Sequence, residues 1–452
     1  MSDYTYMLES HLSPEQNRVV AEVQTAASQA NVSLFLSGGA MRDMLAGFRI
    51  RDLDFVVEGN GLKLARAIAE EKGATLVAAD ELRKSAELVF AGGVTAQVAS
   101  AKVERAARPG ARPQVSAATI QEDLRGRDFT CNAIALSLNR ASRGLLLDPL
   151  NGLADLGHRE LRAASTYGFY DDPSRLLRLM RFKVRLGFTI EERTKMQIAN
   201  ARDAEVEKSI PPRALGDELR RIATEDSPSE ILRELEAAGL STLFCPALAG
   251  PKLNLDGLAR WEKCASLLPE DIPSETIPSR AYRFGPFLCV LGEELSPKER
   301  QSLTKCCALT KSEVEVWSKL DARVKKLEAA LRSAGVRKPS QVYRIVSPAP
   351  ADAILHLLYR SNLKPVQERL RAYLEKSLPA IQEITPEEWA EVEGKPGTPK
   401  YRKAREEFIA RRLDRRPPKP PETPEAGESA EVTPVQPGVP GVPVETAGRR
   451  VR

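Results

Sequence analysis

The chain has 452 residues, 42% of them apolar, and its 67 Lys and Arg side chains against 62 Asp and Glu give a net charge of +5. This length is sufficient for roughly two or three domains with cores of their own. The small net charge excludes RNA or DNA binding through global charge alone, so such a partner would need a local basic patch.

Two further classes of protein are disfavoured by what the sequence lacks. Its beginning has no apolar core of the kind found in signal peptides, and no stretch approaches about 18 uninterrupted apolar residues, so we expect a cytoplasmic protein without membrane spans. The six cysteines show no C-x-x-C pair and the three histidines no HExxH pattern, which argues against a zinc site, a disulfide framework and histidine-based metal hydrolysis.

The pattern over the first 150 residues predicts alternating helices and strands. A helix is predicted over 14–31, a short buried strand over Ser33–Ser37, a helix over 40–46 after two glycines, and a strand over 50–57. The remaining elements predicted here are a helix over 62–72, strands over 75–78, 86–90 and 94–99, a mobile loop over 104–119, a helix from about residue 120, and strands over 133–138 and 144–147.

From Asp172 onward the pattern is almost entirely helical, as in RLLRLMRFKVRLGF and KYRKAREEFIARRL. The final segment, from Pro417, holds nine of the 32 prolines and is predicted to be disordered. We therefore predict an α+β protein with a mixed-sheet head over 1–150, a helical neck over 151–225, a helical body and tail over 226–414, and a disordered segment over 415–452.

Two acids, Asp52 and Asp54, stand one residue apart in a predicted strand, where alternation places both on one face. Solvated acids on an exposed sheet edge are the simple interpretation of an isolated D-x-D. However, the apolar neighbours Leu53 and Phe55 indicate a buried strand, in which acids are costly unless something binds them. Two carboxylates with open positions suit Mg²⁺ that also binds substrate phosphates, so the pair predicts phosphoryl chemistry.

Gly38 and Gly39 precede the predicted helix that contains Arg42. Backbone N–H groups at a helix start attract anions, and a missing Cβ allows close approach, so the glycines can form a phosphate cradle. Arg42 can pair with phosphate oxygens through two hydrogen bonds. Taken alone, two glycines before a helix are more often a turn.

Asp172, Arg175, Arg178 and Arg181 recur every three residues and predict a stripe along one helix. Such spacing usually gives surface ion pairs. A second interpretation is base recognition, in which a carboxylate accepts from an exocyclic amine and a guanidinium donates to a ring nitrogen. Cytosine and adenine both offer this pattern, whereas uracil and guanine leave buried groups unpaired at a cost of about 1–3 kcal/mol each.

Five segments in this order, GGAMRD, RDLD, RDFTCNA, D148-P-x-x-G152-x-x-D155-L156 and DDPSRLLRLMRF, resemble the class II tRNA nucleotidyltransferase and bacterial poly(A) polymerase family. The resemblance implies a polymerase-beta-like nucleotidyltransferase head with Asp52 and Asp54 as catalytic acids and metal ligands. It also implies that the nucleotide is bound by Gly38, Gly39, Arg42, Arg127, Asp128, Asn132, Asp172, Arg175, Arg178 and Arg181.

Three positions depart from the family pattern: Gly126 replaces the first arginine before DFT, Gln97 stands where a third acid is common, and Asn151 replaces a hinge glycine. The resemblance implies a Mg²⁺-dependent, template-independent enzyme that adds C and A residues from CTP and ATP to tRNA 3′ ends and releases pyrophosphate. The alternatives are a poly(A) polymerase acting on other RNA 3′ ends, an enzyme adding only CC or only A, and a catalytically inactive RNA-binding module.

Overall fold

The computed structural model describes residues 3–105, 114–268, 280–395 and 398–415. The disordered segment predicted over 415–452 lies outside these ranges except for its first residue, and so does the centre of the loop predicted over 104–119. The flanks of that loop instead form an antiparallel hairpin, in which Val103 faces Ser116 and Arg105 faces Gln114. The prediction of an irregular loop was therefore wrong at both ends, because cross-strand pairing organises residues with no apolar periodicity.

The head is built on a seven-stranded sheet with the order β3-β4-β5-β2-β1-β8-β9. Strand β2 runs parallel to β5, and the other neighbours are antiparallel, so the sheet is mixed as predicted. The strands of the sheet and of the hairpin are β1 (Ser33–Ser37), β2 (Leu53–Glu58), β3 (Thr75–Asp80), β4 (Ser85–Val89), β5 (Thr95–Ser100), β6 (Lys102–Arg105), β7 (Gln114–Ala117), β8 (Ala135–Ser137) and β9 (Leu146–Leu147).

Helices cover the sheet because its side chains alternate between two apolar faces. Leu34 and Leu36 of β1 belong to the main core, which helices α2 and α4 complete, whereas Phe35 lies on the other face with residues of α5. Asp54 is on the face of Phe35, since Val56 of its strand is there too. The head helices are α1 (Asp3–His11), α2 (Pro14–Gln29), α3 (Gly38–Leu45), α4 (Gly61–Lys72) and α5 (Ile120–Arg125).

The rest of the described chain is helical, with one small exception. Residues Glu160–Leu161 (β10) and Thr189–Ile190 (β11) form a two-stranded parallel pair inside the region predicted to be all helical. The helices are α6 (Gly152–His158), α7 (Gly168–Asp171), α8 (Arg175–Leu186), α9 (Glu192–Asp203), α10 (Pro212–Thr224), α11 (Pro228–Ala237), α12 (Leu255–Ala265), α13 (Phe284–Leu291), α14 (Pro297–Cys306), α15 (Lys311–Arg332), α16 (Pro339–Val346), α17 (Ala351–Arg360), α18 (Lys364–Ala372), α19 (Leu378–Gln382), α20 (Pro386–Ala390) and α21 (Pro399–Asp414).

The predicted fold class, a mixed-sheet head followed by helices, is thus confirmed, whereas the exact boundaries at residues 150, 225 and 414 stay a prediction. Helix α8 shows how the predicted neck joins the head. Its apolar side is buried through residues such as Leu176, Leu179 and Phe182, and the Phe182 ring packs edge-on against Phe129 of the head, with 5.8 Å between ring centres. Among the helices that the structure describes, none has the length and apolar character needed to cross a membrane.

Candidate active site

Asp54 lies on β2, but Asp52 lies just before it. The strand begins at Leu53, later than the sequence indicates, so strand alternation alone does not place the two carboxylates. Instead each is fixed by its own donor: the Asp54 Oδ2 accepts a hydrogen bond of 2.9 Å from the Gly39 backbone N–H, and the Asp52 Oδ1 accepts one from the Thr95 hydroxyl. Asp52 is exposed and Asp54 half-buried, so the pair opens to solvent at one end.

The two acids repel each other. Burial, and after it the charge of Asp52, raises the pKa of Asp54 to about 6, although Arg127, the Gly39 N–H and Arg42 act in the opposite direction. A divalent cation between the carboxylates would remove this repulsion, so the donor set fits Mg²⁺. Within the described residues no cluster of three or more acidic, His or Cys side chains is arranged to hold a metal.

Gly38 and Gly39, the first two residues of α3, are required by the position of Asp54. A Cβ on Gly38 or Gly39 would lie 3.2 or 3.1 Å from the Asp54 Oδ2, closer than ordinary contact. Gly38 also has a φ of +64°, which side chains rarely adopt. The glycines therefore bring the start of α3 against the Asp54 carboxylate, and the Gly39 N–H predicted to face a phosphate faces Asp54.

Arg42 is buried, with 3% of its surface exposed. Its Nε and Nη2 donate to the Asp43 Oδ1 at 2.8 and 2.7 Å, its Nη1 donates to the Asn132 Oδ1 at 2.8 Å, and its guanidinium lies 4.9 Å from the centre of the Phe182 ring. The guanidinium is thus engaged by the protein and is not presented to a phosphate in this structure.

Asn132 connects Arg42 to Asp128, because its Nδ2 donates to the Asp128 Oδ1 at 3.0 Å. The other oxygen, Oδ2, lies 3.1 Å from the Arg178 Nη2 of α8. Burial alone would raise the pKa of Asp128, but Arg178, Arg175 and the Asn132 amide hold it far below its usual range. Asp128 is therefore a permanent anion that joins the RDFTCNA segment to the neck helix.

Arg127 and Arg175 meet on the other side of this segment. Arg127 forms an ion pair with Asp123 at 2.6 Å. The Arg175 guanidinium donates two hydrogen bonds of 3.1 Å to backbone carbonyls, from Nη1 to that of Arg127 and from Nη2 to that of Gly126. The Arg175 Nε has no hydrogen-bond partner among the described residues and lies 3.8 Å from the Asp172 Oδ2.

Asp172 is not on the helix with the arginines. Helix α8 begins at Arg175, and Asp172 precedes it in an extended conformation with φ −140° and ψ 91°. Its Oδ1 accepts from the backbone N–H and the hydroxyl of Ser174, at 3.1 and 2.6 Å. The carboxylate is 44% exposed, so its Oδ2 remains open to a ligand.

The predicted stripe of three arginines therefore divides into three different environments. Arg175 faces backbone carbonyls, Arg178 faces Asp128, and Arg181 is buried between Glu218 and Glu225, each at 3.0 Å. In this structure the Arg181 guanidinium is not available for the predicted nucleotide contact, because it is already paired with two buried carboxylates.

Three residues that hold the predicted site residues in place were not predicted from the sequence. Thr95 fixes Asp52, Ser174 fixes Asp172, and Glu225 fixes Arg181. Ser174 was discoverable, because Ser two residues after Asp is a common side-chain turn. Thr95 and Glu225 are far away in sequence, and nothing in the local pattern indicates their contacts.

Comparison with known proteins shows what this part of the chain is similar to. Residues 34–162 match the family described as Poly A polymerase head domain. The A-adding tRNA nucleotidyltransferase of Aquifex aeolicus is 29% identical, over 76% of this chain and 40% of its own length. The CC-adding tRNA nucleotidyltransferase of Deinococcus radiodurans is 35% identical, over 47% of this chain and 56% of its own.

A solved structure of a CCA-adding enzyme, apo form II, has a TM-score of 0.53 at 24% identity, over 91% of this chain and 95% of that one, which shows the shared fold. This chain spans about half the length of the curated relatives it matches, 40% and 56% in the two cases above. Residues 34–162 are thus similar to the poly A polymerase head domain, and the chain is similar over part of its length to A-adding and CC-adding tRNA nucleotidyltransferases.

Proposed function

We propose that the protein is a template-independent RNA nucleotidyltransferase that adds C and A residues, taken from CTP and ATP, to the 3′ ends of tRNA with release of pyrophosphate. The observation that carries the proposal is the pair Asp52 and Asp54 against the start of α3, where the Gly39 N–H holds the Asp54 carboxylate at 2.9 Å. Its relatives include A-adding and CC-adding tRNA nucleotidyltransferases. Because tRNA is the proposed substrate, we also propose a cytoplasmic location.

Asp52 and Asp54 would hold Mg²⁺, which when bound activates the 3′-hydroxyl of the RNA and offsets the charge of the departing pyrophosphate. The chain's own contribution is to orient both acids. The Thr95 hydroxyl turns one oxygen of Asp52 inward, and the Gly39 N–H does the same for Asp54. The free oxygens of the two carboxylates remain for the ion.

Base selection would depend on Asp172 and Arg175. Ser174 occupies one oxygen of Asp172, which leaves Oδ2 as an acceptor for an exocyclic amine. The Arg175 Nε lies 3.8 Å from the Asp172 Oδ2, is buried, and has no hydrogen-bond partner among the described residues; turned toward the base, it would supply the adjacent donor for a ring nitrogen. This acceptor and donor match cytosine and adenine and mismatch uracil and guanine.

The other residues predicted to bind the nucleotide fall into two groups, one in direct contact with it and one with an indirect role. Gly38, Gly39 and Arg127 border the acids and would lie nearest the phosphates, since Arg127 contributes to the potential at Asp54. Arg42, Asp128, Asn132, Arg178 and Arg181 would act indirectly, by fixing the head against the neck. We propose a head over 1–150, a neck over 151–225 that binds base and RNA, and a body and tail over 226–414 that bind tRNA.

A second candidate, addition of the terminal A alone, is favoured by the A-adding relative, whose similarity extends over 76% of this chain. The test is to incubate the purified protein and Mg²⁺ with tRNA ending before CCA and with tRNA ending in CC, supplying labelled CTP or ATP singly and together. Ordered addition of three residues to the first RNA supports CCA addition. A single A added only to the second supports A addition.

Two other results contradict both candidates. A long A tract on any RNA would indicate a poly(A) polymerase. Absence of incorporation with every RNA would indicate a catalytically inactive RNA-binding module. Asp54→Asn is the matched inactive control, because it keeps the shape of the side chain and removes the charge. RNA binding, measured by a gel-shift assay, should persist in this variant.

A further inference from the structure

Three polar side chains form a row across the head sheet on the face of Asp54. In the parallel pairing of β2 and β5, Asp54 faces Gln97. In the antiparallel pairing of β5 and β4, Gln97 faces Glu87. Because directly paired residues on neighbouring strands project to the same face, Asp54, Gln97 and Glu87 lie side by side across three strands.

Glu87 has no evident structural purpose at this position. Its side chain is half-buried, and within the residues that the structure describes this side chain has neither a hydrogen bond nor an ion pair. A half-buried carboxylate without a partner costs stability. Burial, and after it the negative charge of Asp52, raises the pKa of Glu87, so its carboxyl group lies within the electrostatic reach of the proposed metal ligands.

Gln97, the middle member, is exposed and uncharged. Strand β5, which neighbours Asp54, thus offers no third carboxylate at this position, whereas β4, the next strand in the sheet, offers Glu87. Neighbouring strands are about 4.8 Å apart, so the Glu87 Cα lies about 10 Å from that of Asp54. A glutamate at this separation does not coordinate the same ion directly but can accept from one of the water molecules that Mg²⁺ retains.

We propose that Glu87 is a positioning residue of the metal site, which supplies through metal-bound water the negative charge that Gln97 does not. This inference rests on the proposed function, because it takes Asp52 and Asp54 as the inner ligands. It assigns the third acid of the site to β4 rather than β5.

The test measures metal binding without turnover. Mn²⁺ is titrated into the full chain in the absence of nucleotide and RNA, and its free fraction is read by EPR. Glu87→Gln should weaken Mn²⁺ binding about 3- to 10-fold, the effect of one charge about 7 Å away across partly aqueous surroundings. Glu71→Gln, which removes an exposed acid of α4, is the matched control and should leave the affinity unchanged.

A charge swap makes the test specific. Adding Gln97→Glu to the Glu87→Gln variant places a carboxylate directly beside Asp54 and should restore Mn²⁺ affinity to the wild-type value or above. An unchanged affinity in Glu87→Gln overturns the inference, and so does a loss that the swap fails to repair. Asp54→Asn distinguishes failure of this inference from failure of the proposed function. If Asp54→Asn loses Mn²⁺ binding while Glu87→Gln binds Mn²⁺ normally, only the role of Glu87 is refuted. If Asp54→Asn binds Mn²⁺ normally, the proposed function fails as well.

Discussion

Arg51, the residue before Asp52, donates from its Nη1 to the Glu225 Oε2 over 3.0 Å. Glu225 ends α10 and also accepts from Arg181, at 3.0 Å, with Arg185 at 3.7 Å. Burial alone would raise the pKa of Glu225, but Arg181, Arg185 and Arg51 hold it below its usual range. A single buried carboxylate thus joins the segment that carries Asp52 and Asp54, the proposed catalytic acids, to α8, which carries Arg175, the arginine proposed to read the base.

Replacing Glu225 with Gln should destabilise the protein by about 2–4 kcal/mol, because it leaves the buried Arg181 short of one of its two acids. The free energy of unfolding, measured by urea titration, checks this. Glu230→Gln removes an equal charge from the exposed pair with Arg233 and should change stability by less than about 0.5 kcal/mol. Equal effects of the two substitutions would refute a special role for the buried acid.

Asp54→Asn should stabilise the metal-free protein at neutral pH while abolishing nucleotide addition. The pKa of Asp54 is raised to about 6, so the folded state binds its proton more tightly than the unfolded state. Stability from this group is therefore fully present below about pH 4, is lost as the pH rises through 6, and stays lost above it. Asn mimics the protonated form without titrating.

The measurement is the free energy of unfolding from urea titrations between pH 4 and 8, with and without Mg²⁺. The free energy of unfolding of the variant should exceed that of the wild type by about 1–3 kcal/mol at pH 8 and match it near pH 4. Saturating Mg²⁺ should reduce the difference at pH 8, since the ion stabilises only the carboxylate pair. A pH-independent difference would contradict the assignment to Asp54.

Arg175→Ala should relax base choice in addition to slowing the reaction. It removes the donor beside the Asp172 Oδ2, so CTP and ATP lose a hydrogen bond that UTP and GTP do not make. We expect the preference in kcat/KM for CTP over UTP to fall about 10-fold or more. Single-nucleotide incorporation on tRNA measures the ratio. Arg193→Ala, on the exposed side of α9, should leave it unchanged, and equal slowing with all four nucleotides would contradict base reading by Arg175.

How far the sequence predicts this site depends on the range of each contact. The strand Ser33–Ser37 and the helices α4, α8 and α10 follow from periodicity, and the acids Asp52 and Asp54 from their apolar surroundings. Periodicity also predicts a common stripe for Arg175, Arg178 and Arg181, but their partners come from the distant segments 126–128 and 218–225. A charged side chain in a motif is visible in sequence, whereas the residue that neutralises it is set by tertiary packing.

Gly39→Ala tests the closeness of α3 to the catalytic acid. The added Cβ would lie 3.1 Å from the Asp54 Oδ2 and 3.5 Å from the Arg42 Nη2, so the carboxylate must move and its 2.9 Å bond to the Gly39 N–H must lengthen. We expect kcat to fall about 10- to 100-fold, since displacement of a metal ligand by a fraction of an ångström already disturbs phosphoryl transfer. Gly157→Ala is the matched control: its Cβ meets nothing within 4 Å, and alanine suits the helix interior better, so activity should be retained with stability equal or slightly higher. If Gly39→Ala transfers nucleotides at the wild-type rate, the Gly39 to Asp54 bond does not orient the metal ligand.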